Sequence, residues 1–138
     1  MLGLQTGHVI EHVLVALQGR PLIGVAADSQ EWHLVFNGLI AAASIAAVRW
    51  CPRNPWIYVL VAVSVLHAIE HVVVYAQYLG LVAIGASGLL GIGGVIPVLP
   101  VPPLALHNFY NGIELVLMSL ALWHLVEEEL AKPSPSTR

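Results

Sequence analysis

The sequence predicts an all-α integral membrane protein: a four-helix bundle made by tandem duplication of a two-helix hairpin, with a pseudo-two-fold axis along the membrane normal. Three observations predict it. Of the 138 residues, 58% are hydrophobic and only 9% are charged, with a mean hydropathy of +0.82. A soluble domain carries about 25% charged residues. Four apolar stretches come close to the roughly 20 residues that a membrane-crossing helix needs. Polar residues recur inside those stretches in the same order in both halves of the chain, the signature of an internal repeat.

The first stretch runs from about residue 2 to residue 19 and stops at "QGRP". It does not read as a cleavable signal peptide, because His8, Glu11 and His12 interrupt its apolar run. The second, about 31–50, is "EWHLVFNGLIAAASIAAVRW", and the third runs over about 55–80. The fourth runs over about 104–126, and a polar tail at 128–138 is expected to fray. The first hairpin repeat thus covers 1–54 and the second 55–127. Within the second, residues 80–103 form a long connection without a charge, rich in glycine and proline. A continuous helix through "PVLPVPP" is excluded. The connection reads either as a greasy loop or as a lid over whatever the bundle holds.

Charge sets the expected orientation. Arg49 and Arg53 lie in the turn between the second and third stretches, so that turn and both termini are placed on the cytoplasmic side. Trp50, Trp56 and Trp123 would mark the inner interface. A net charge of -3 with no basic stripe argues against nucleic acid as a partner. The single cysteine, Cys51, excludes an intramolecular disulfide framework and reads as an unpaired thiol near the interface.

The duplication carries the chemistry. When "HVIEH" at His8 is set on "HAIEH" at His67, seven of the eleven positions from 8 to 18 are identical, including His8, Glu11, His12 and Gln18 against His67, Glu70, His71 and Gln77. The second and fourth stretches align as well: His33, Asn37 and Gly38 meet His107, Asn111 and Gly112, and Phe36 meets Tyr110. Glu114 departs from the pattern, since it meets Ile40. Each half therefore reads His-x-x-Glu-His on one helix and His-x-x-x-Asn-Gly on the next. Two helices per half make the repeats parallel, which puts the two motifs at matching depth.

At about 100° per residue, His8, Glu11 and His12 fall within one arc of about 100°, as do His67, Glu70 and His71. Charged groups cost about 2.5–3.5 kcal/mol at membrane depth and face the bundle interior. One bundle then gathers His8, His12, His33, His67, His71 and His107 with Glu11 and Glu70. Imidazole suits zinc, copper and iron, and facing helices build di-metal sites in bundle cores. These eight residues are the candidate ligands of one or two transition-metal ions, iron or copper favoured and zinc possible. Gln18, Asn37, Gln77, Asn111 and Glu114 are candidates to orient them.

Three other readings remain open. A hydrogen-bonded polar core can glue helices together. A proton or ion path can run along His and Glu side chains. Haem b can take an axial histidine from each of two helices, but His8 and His12, about 6 Å apart along the axis, leave one histidine of each motif and the glutamate without a task.

The five-residue motif resembles the His-x-x-Glu-His of inverzincin metalloproteases, a soluble family in which the histidines hold zinc and the glutamate acts as base. The His-x-x-x-His pairs at His8/His12 and His67/His71 resemble the histidine boxes of membrane di-iron desaturases and hydroxylases. The paired His-His of those families is absent. Six inward histidines near an apolar connection point to redox or oxygen chemistry on an apolar substrate entering from lipid beneath that connection; zinc would point instead to hydrolysis or a purely structural role. A metal-carrying or accessory subunit of a membrane complex, or a homo-oligomer, is the non-catalytic expectation.

Overall fold

A computed structural model describes residues 1–18, 29–82, 88–96 and 98–132. They form four α-helices: α1 (Leu2–Gln18), α2 (Gln30–Trp50), α3 (Pro55–Tyr78) and α4 (Pro103–Leu130). Helices α2, α3 and α4 are long and apolar enough to cross a membrane; α1 has 17 residues and is shorter. Residues 19–28, between the first and second expected stretches, lie outside the described residues. At the other end, α4 runs on to Leu130, so Glu128, Glu129 and Leu130 of the expected tail are helical, while residues 133–138 lie outside the described residues.

Helices α2 and α3 start where the sequence supplies a capping side chain. Ser29 Oγ accepts the Trp32 N–H at the start of α2 (3.2 Å), and Asn54 Oδ1 accepts the Trp56 N–H at the start of α3 (3.1 Å), ahead of Pro55. These side chains satisfy donors that a helix N-terminus leaves unpaired. Pro103 opens α4, where a missing N–H costs nothing.

Helix α3 is central, packing against both α2 and α4, and α1 packs against α4. Helices α2 and α3 meet through Ser44 and Ser64, both fully buried with hydroxyls 3.5 Å apart. Each hydroxyl also donates to the carbonyl four residues back, Ile40 O and Leu60 O, so neither is stranded. Small residues at such a crossing let two backbones approach, the packing that holds helices together in lipid. Above the serines, Phe36, Ile40, Leu60, Leu117 and Met118 form the apolar core.

The distribution of polarity is the reverse of a soluble domain. Among the described residues, buried polar side chains outnumber buried apolar ones, while Leu4, Leu17, Val35, Leu39, Leu104, Phe109 and Val116 face outward. A contiguous apolar exterior of this kind marks contact with lipid or another apolar phase.

The connection from α3 to α4 satisfies much of its own backbone. Ile96 N–H donates to Leu89 O (2.7 Å), Leu99 N–H to Leu90 O (3.0 Å) and Ile92 N–H to Val101 O (3.0 Å). Backbone at membrane depth is tolerated only when its polar groups are paired in this way or covered. At the opposite end of the bundle, Asn54 Nδ2 donates to Ala121 O (2.7 Å) and ties the α2–α3 turn to α4. Replacing Asn54 with alanine removes that bond and the α3 cap together. The expected loss is about 1–2 kcal/mol, read as a lowered midpoint of thermal unfolding in detergent with the helical content of the folded state unchanged.

A candidate metal centre

Six histidines converge near the end of the bundle where α2 and α4 begin. Helix α1 supplies His8 and His12, α2 supplies His33 one turn after Gln30, α3 supplies His67 and His71, and α4 supplies His107 one turn after Pro103. The 3.6-residue period does the local work: four-residue spacing stacks His8 on His12 and His67 on His71, each pair with Nε2 atoms 3.2 Å apart.

The rings form two groups, each with ligand atoms lying within 4.8 Å of one another and able to hold a metal ion: His8, His12, His33 and His107, and His67, His71 and His107. In the first, His12 Nε2 lies 3.2 Å from His8 Nε2, 3.3 Å from His33 Nε2 and 3.0 Å from His107 Nε2. In the second, His67 Nε2, His71 Nε2 and His107 Nδ1 make a triangle with edges of 3.2, 3.2 and 3.1 Å. The groups adjoin, with the His33 and His71 rings stacked at 5.6 Å. An aromatic ring backs the first histidine of each motif: Phe36 against His8 at 4.4 Å and Tyr110 against His67 at 4.8 Å.

Partners at the far ring nitrogens assign the tautomers. His33 Nδ1–H donates to Ser29 O (2.9 Å) and His67 Nδ1–H to Glu114 Oε1 (3.2 Å). Both rings therefore turn an Nε2 lone pair inward. A carboxylate behind a histidine is the usual support of a metal ligand, since it fixes the ring and raises its basicity.

The other expected residues take distinct places. Glu114, fully buried, also accepts from Gln5 Nε2 (3.0 Å), which donates to Asn111 Oδ1 as well (3.1 Å). Asn111 Nδ2 sits 3.0 Å from His107 Nε2. Asn37 Nδ2 donates to His33 O (2.9 Å). Glu11 and Glu70 are buried but belong to neither group of rings. Glu70 Oε1 instead accepts the Leu90 N–H of the α3–α4 connection (3.4 Å), and Gln77 holds Gly88 by both its N–H (3.0 Å) and its carbonyl (3.4 Å). Gly88 has φ of +91°, and a Cβ there would lie 2.5 Å from Glu70 Oε1, so glycine is required at this contact. Gln18 is exposed at the end of α1.

Gln5 is the residue that the sequence reading missed. It lies three residues before His8, on the same helical face, and a polar side chain in an apolar stretch was the available signal. A cavity of about 380 Å³ opens onto the rings of His12, His33, His71 and His107, with Glu70 beside them and Val15, Val74 and Leu104 as its apolar wall. The arrangement offers several converging imidazole nitrogens, a buried carboxylate behind the His67 ring and an approach for a small molecule.

Compared with protein-family models, curated proteins and solved structures, the chain matches none.

Glu114→Ala leaves the His67 Nδ1–H without its acceptor in a buried site and takes one of the acceptors of the Gln5 amide, which keeps Asn111 Oδ1. The expected destabilisation is about 3 kcal/mol, measured by thermal unfolding in detergent. Glu114→Gln, which still offers an acceptor to one of the two donors, is expected to lose markedly less.

Proposed function

We propose that this chain is a membrane metalloprotein that holds a first-row transition metal in its histidine cluster and carries out redox chemistry on a small apolar molecule reaching the cavity. One observation carries the reading. The ring nitrogens of His67, His71 and His107 stand 3.1–3.2 Å apart in a closed triangle, and His12 Nε2 has three ring nitrogens within 3.0–3.3 Å. A ring nitrogen has either one proton or one lone pair. One nitrogen cannot make three good hydrogen bonds to three others, so a purely hydrogen-bonded core leaves lone pairs facing lone pairs. A cation between them accepts all of the lone pairs at once. For metal–nitrogen bonds of about 2.0–2.1 Å, adjacent ligands of a tetrahedral ion lie about 3.3 Å apart, close to the spacing found.

All-imidazole groups suit copper, iron and zinc, and buried Glu114 offsets part of the ion's charge. Copper or iron would supply one-electron chemistry, whereas zinc would leave the site structural or hydrolytic. The cavity beside the rings, walled by Val15, Val74 and Leu104, supports an apolar reactant.

The same proposal includes four spans, a duplicated hairpin and cytoplasmic termini. The matched pairs His8–Phe36 and His67–Tyr110 support the duplication. Exposed Trp50, Trp56 and Trp123 lie toward the end of the bundle where Asn54 meets Ala121, which supports an aromatic belt on the side of Arg49 and Arg53.

Purification in detergent, elemental analysis and an absorption spectrum test the metal. Stoichiometric copper or iron is expected, with a loss of most of it in His67→Ala/His71→Ala. A Soret band would assign haem, and protein that takes up no metal under any loading condition would overturn the reading. Orientation is read from Cys51, half-buried in the α2–α3 turn. A membrane-impermeant thiol reagent is expected to label it in inside-out vesicles and not in intact cells.

A further inference from the structure

We propose that His107 is a bridging imidazolate, joining two metal ions through its two ring nitrogens. The proposal rests on the metal-binding reading above and specifies how that site is built.

His107 is the one histidine common to both candidate groups among the described residues. Its Nε2 faces His12 Nε2 at 3.0 Å, in the first group, while its Nδ1 faces His67 Nε2 and His71 Nε2 at 3.2 and 3.1 Å, in the second. The two nitrogens of one ring therefore point into two different clusters. His33 and His67 differ from it, because each spends Nδ1 on an oxygen acceptor, Ser29 O and Glu114 Oε1. His107 has no such acceptor for either nitrogen among its hydrogen-bond partners: both face nitrogen atoms.

Asn111 adds to this. Gln5 Nε2 donates to Asn111 Oδ1 (3.1 Å) and so fixes which way the amide points. Its Nδ2 is thereby turned toward His107 Nε2, at 3.0 Å. A donor at that position disfavours a proton on Nε2 and holds its lone pair in a hydrogen bond, which an ion in the first group displaces. The remaining ring proton sits on Nδ1, aimed at the triangle. Of that triangle, His67 Nε2 presents a lone pair, because its own proton is on Nδ1.

Binding one divalent ion at the triangle then displaces the Nδ1 proton of His107, and a second ion takes the Nε2 lone pair in place of the Asn111 amide, which keeps His107 O as an acceptor (3.2 Å). The balance is one neutral imidazole and two divalent ions on one side, and a metal–imidazolate–metal unit and one proton on the other. The proton leaves to water through the cavity that His107 lines. The imidazolate's negative charge adds to that of Glu114 against two cations in a low dielectric, where uncompensated charge is costly. His8, His12 and His33 complete one ion's ligands, and His67 and His71 the other's. With metal–nitrogen bonds of about 2.0–2.1 Å on each side of the ring, the ions stand about 6 Å apart.

Copper(II) tests the bridge, because an imidazolate couples two such spins antiferromagnetically. The detergent-purified, metal-free full chain is titrated with copper(II), bound copper is measured, and electron paramagnetic resonance is recorded at liquid-helium temperature. Two coppers per chain are expected, with loss of most of the signal that two independent ions would give. His107→Ala is expected to restore a full signal per bound copper. A single copper per chain, or two giving the full uncoupled signal in the unaltered protein, would overturn the bridge and leave the metal-binding reading standing. Coupling that persists in His107→Ala would overturn the assignment to His107. No bound copper, iron or zinc at all would overturn both. The unaltered protein decides the matter even where the variant does not fold.

Discussion

Glu114 is a carboxylate with no access to solvent in the middle of an apolar bundle, and much of the polar interior is arranged around it. Stranded there, it would cost several kcal/mol. It takes one hydrogen bond from His67 on α3 and one from Gln5 on α1, while itself on α4. Three helices are thus held in register by two bonds to one side chain. Gln5 passes the constraint to Asn111 and Asn111 to His107. The same chain of contacts fixes the His67 ring, so the orientation of the candidate ligands follows from satisfying one buried acid. In lipid there is no hydrophobic force to press helices together, and polar contacts of this kind, with the close Ser44–Ser64 approach, do that work in its place.

Much of this was legible in the sequence because membrane helices invert the usual economy of polar residues. In a soluble chain a lone histidine on an apolar helix is uninformative. Here each polar side chain within a span needs a partner, so the six histidines of the repeated motifs pointed inward, and the structure brings their rings together. The glutamates follow a different logic. His-x-x-Glu-His puts Glu70 on the same arc as its histidines, and periodicity cannot tell a side chain that turns to the rings from one that turns to a neighbouring loop. The α3–α4 connection decides it, by presenting the Leu90 N–H and a glycine at Gly88 close enough for contact. That connection has no helical period and its path could not be read from spacing. Gln77 is explained by the same contact: it clamps Gly88 from both sides. The role of Gln5 was hidden because nothing in the second half of the chain repeats it; Ser64 stands at the corresponding position and bonds to Ser44 instead.

The two halves are alike in pattern and unlike in support, and the difference has a chemical consequence. Where the second half has Glu114, the first has Ile40, so His67 has a carboxylate behind it and the His8 group gains no matching charge from α2. Its support there is a backbone carbonyl, Ser29 O, behind His33. A carboxylate raises the basicity of the ring it holds more than a neutral carbonyl does. The triangle of His67, His71 and His107 is also the more regular group, with edges equal to within 0.1 Å. The cavity opens onto both groups, reaching His12 and His33 of the first, His71 of the second and the shared His107. A strictly symmetric pair of sites would hold two ions in equal environments and at similar potential. An acid at Glu114, where the matched position holds Ile40, makes the two groups of rings unequal in their support: a carboxylate behind His67, a backbone carbonyl behind His33.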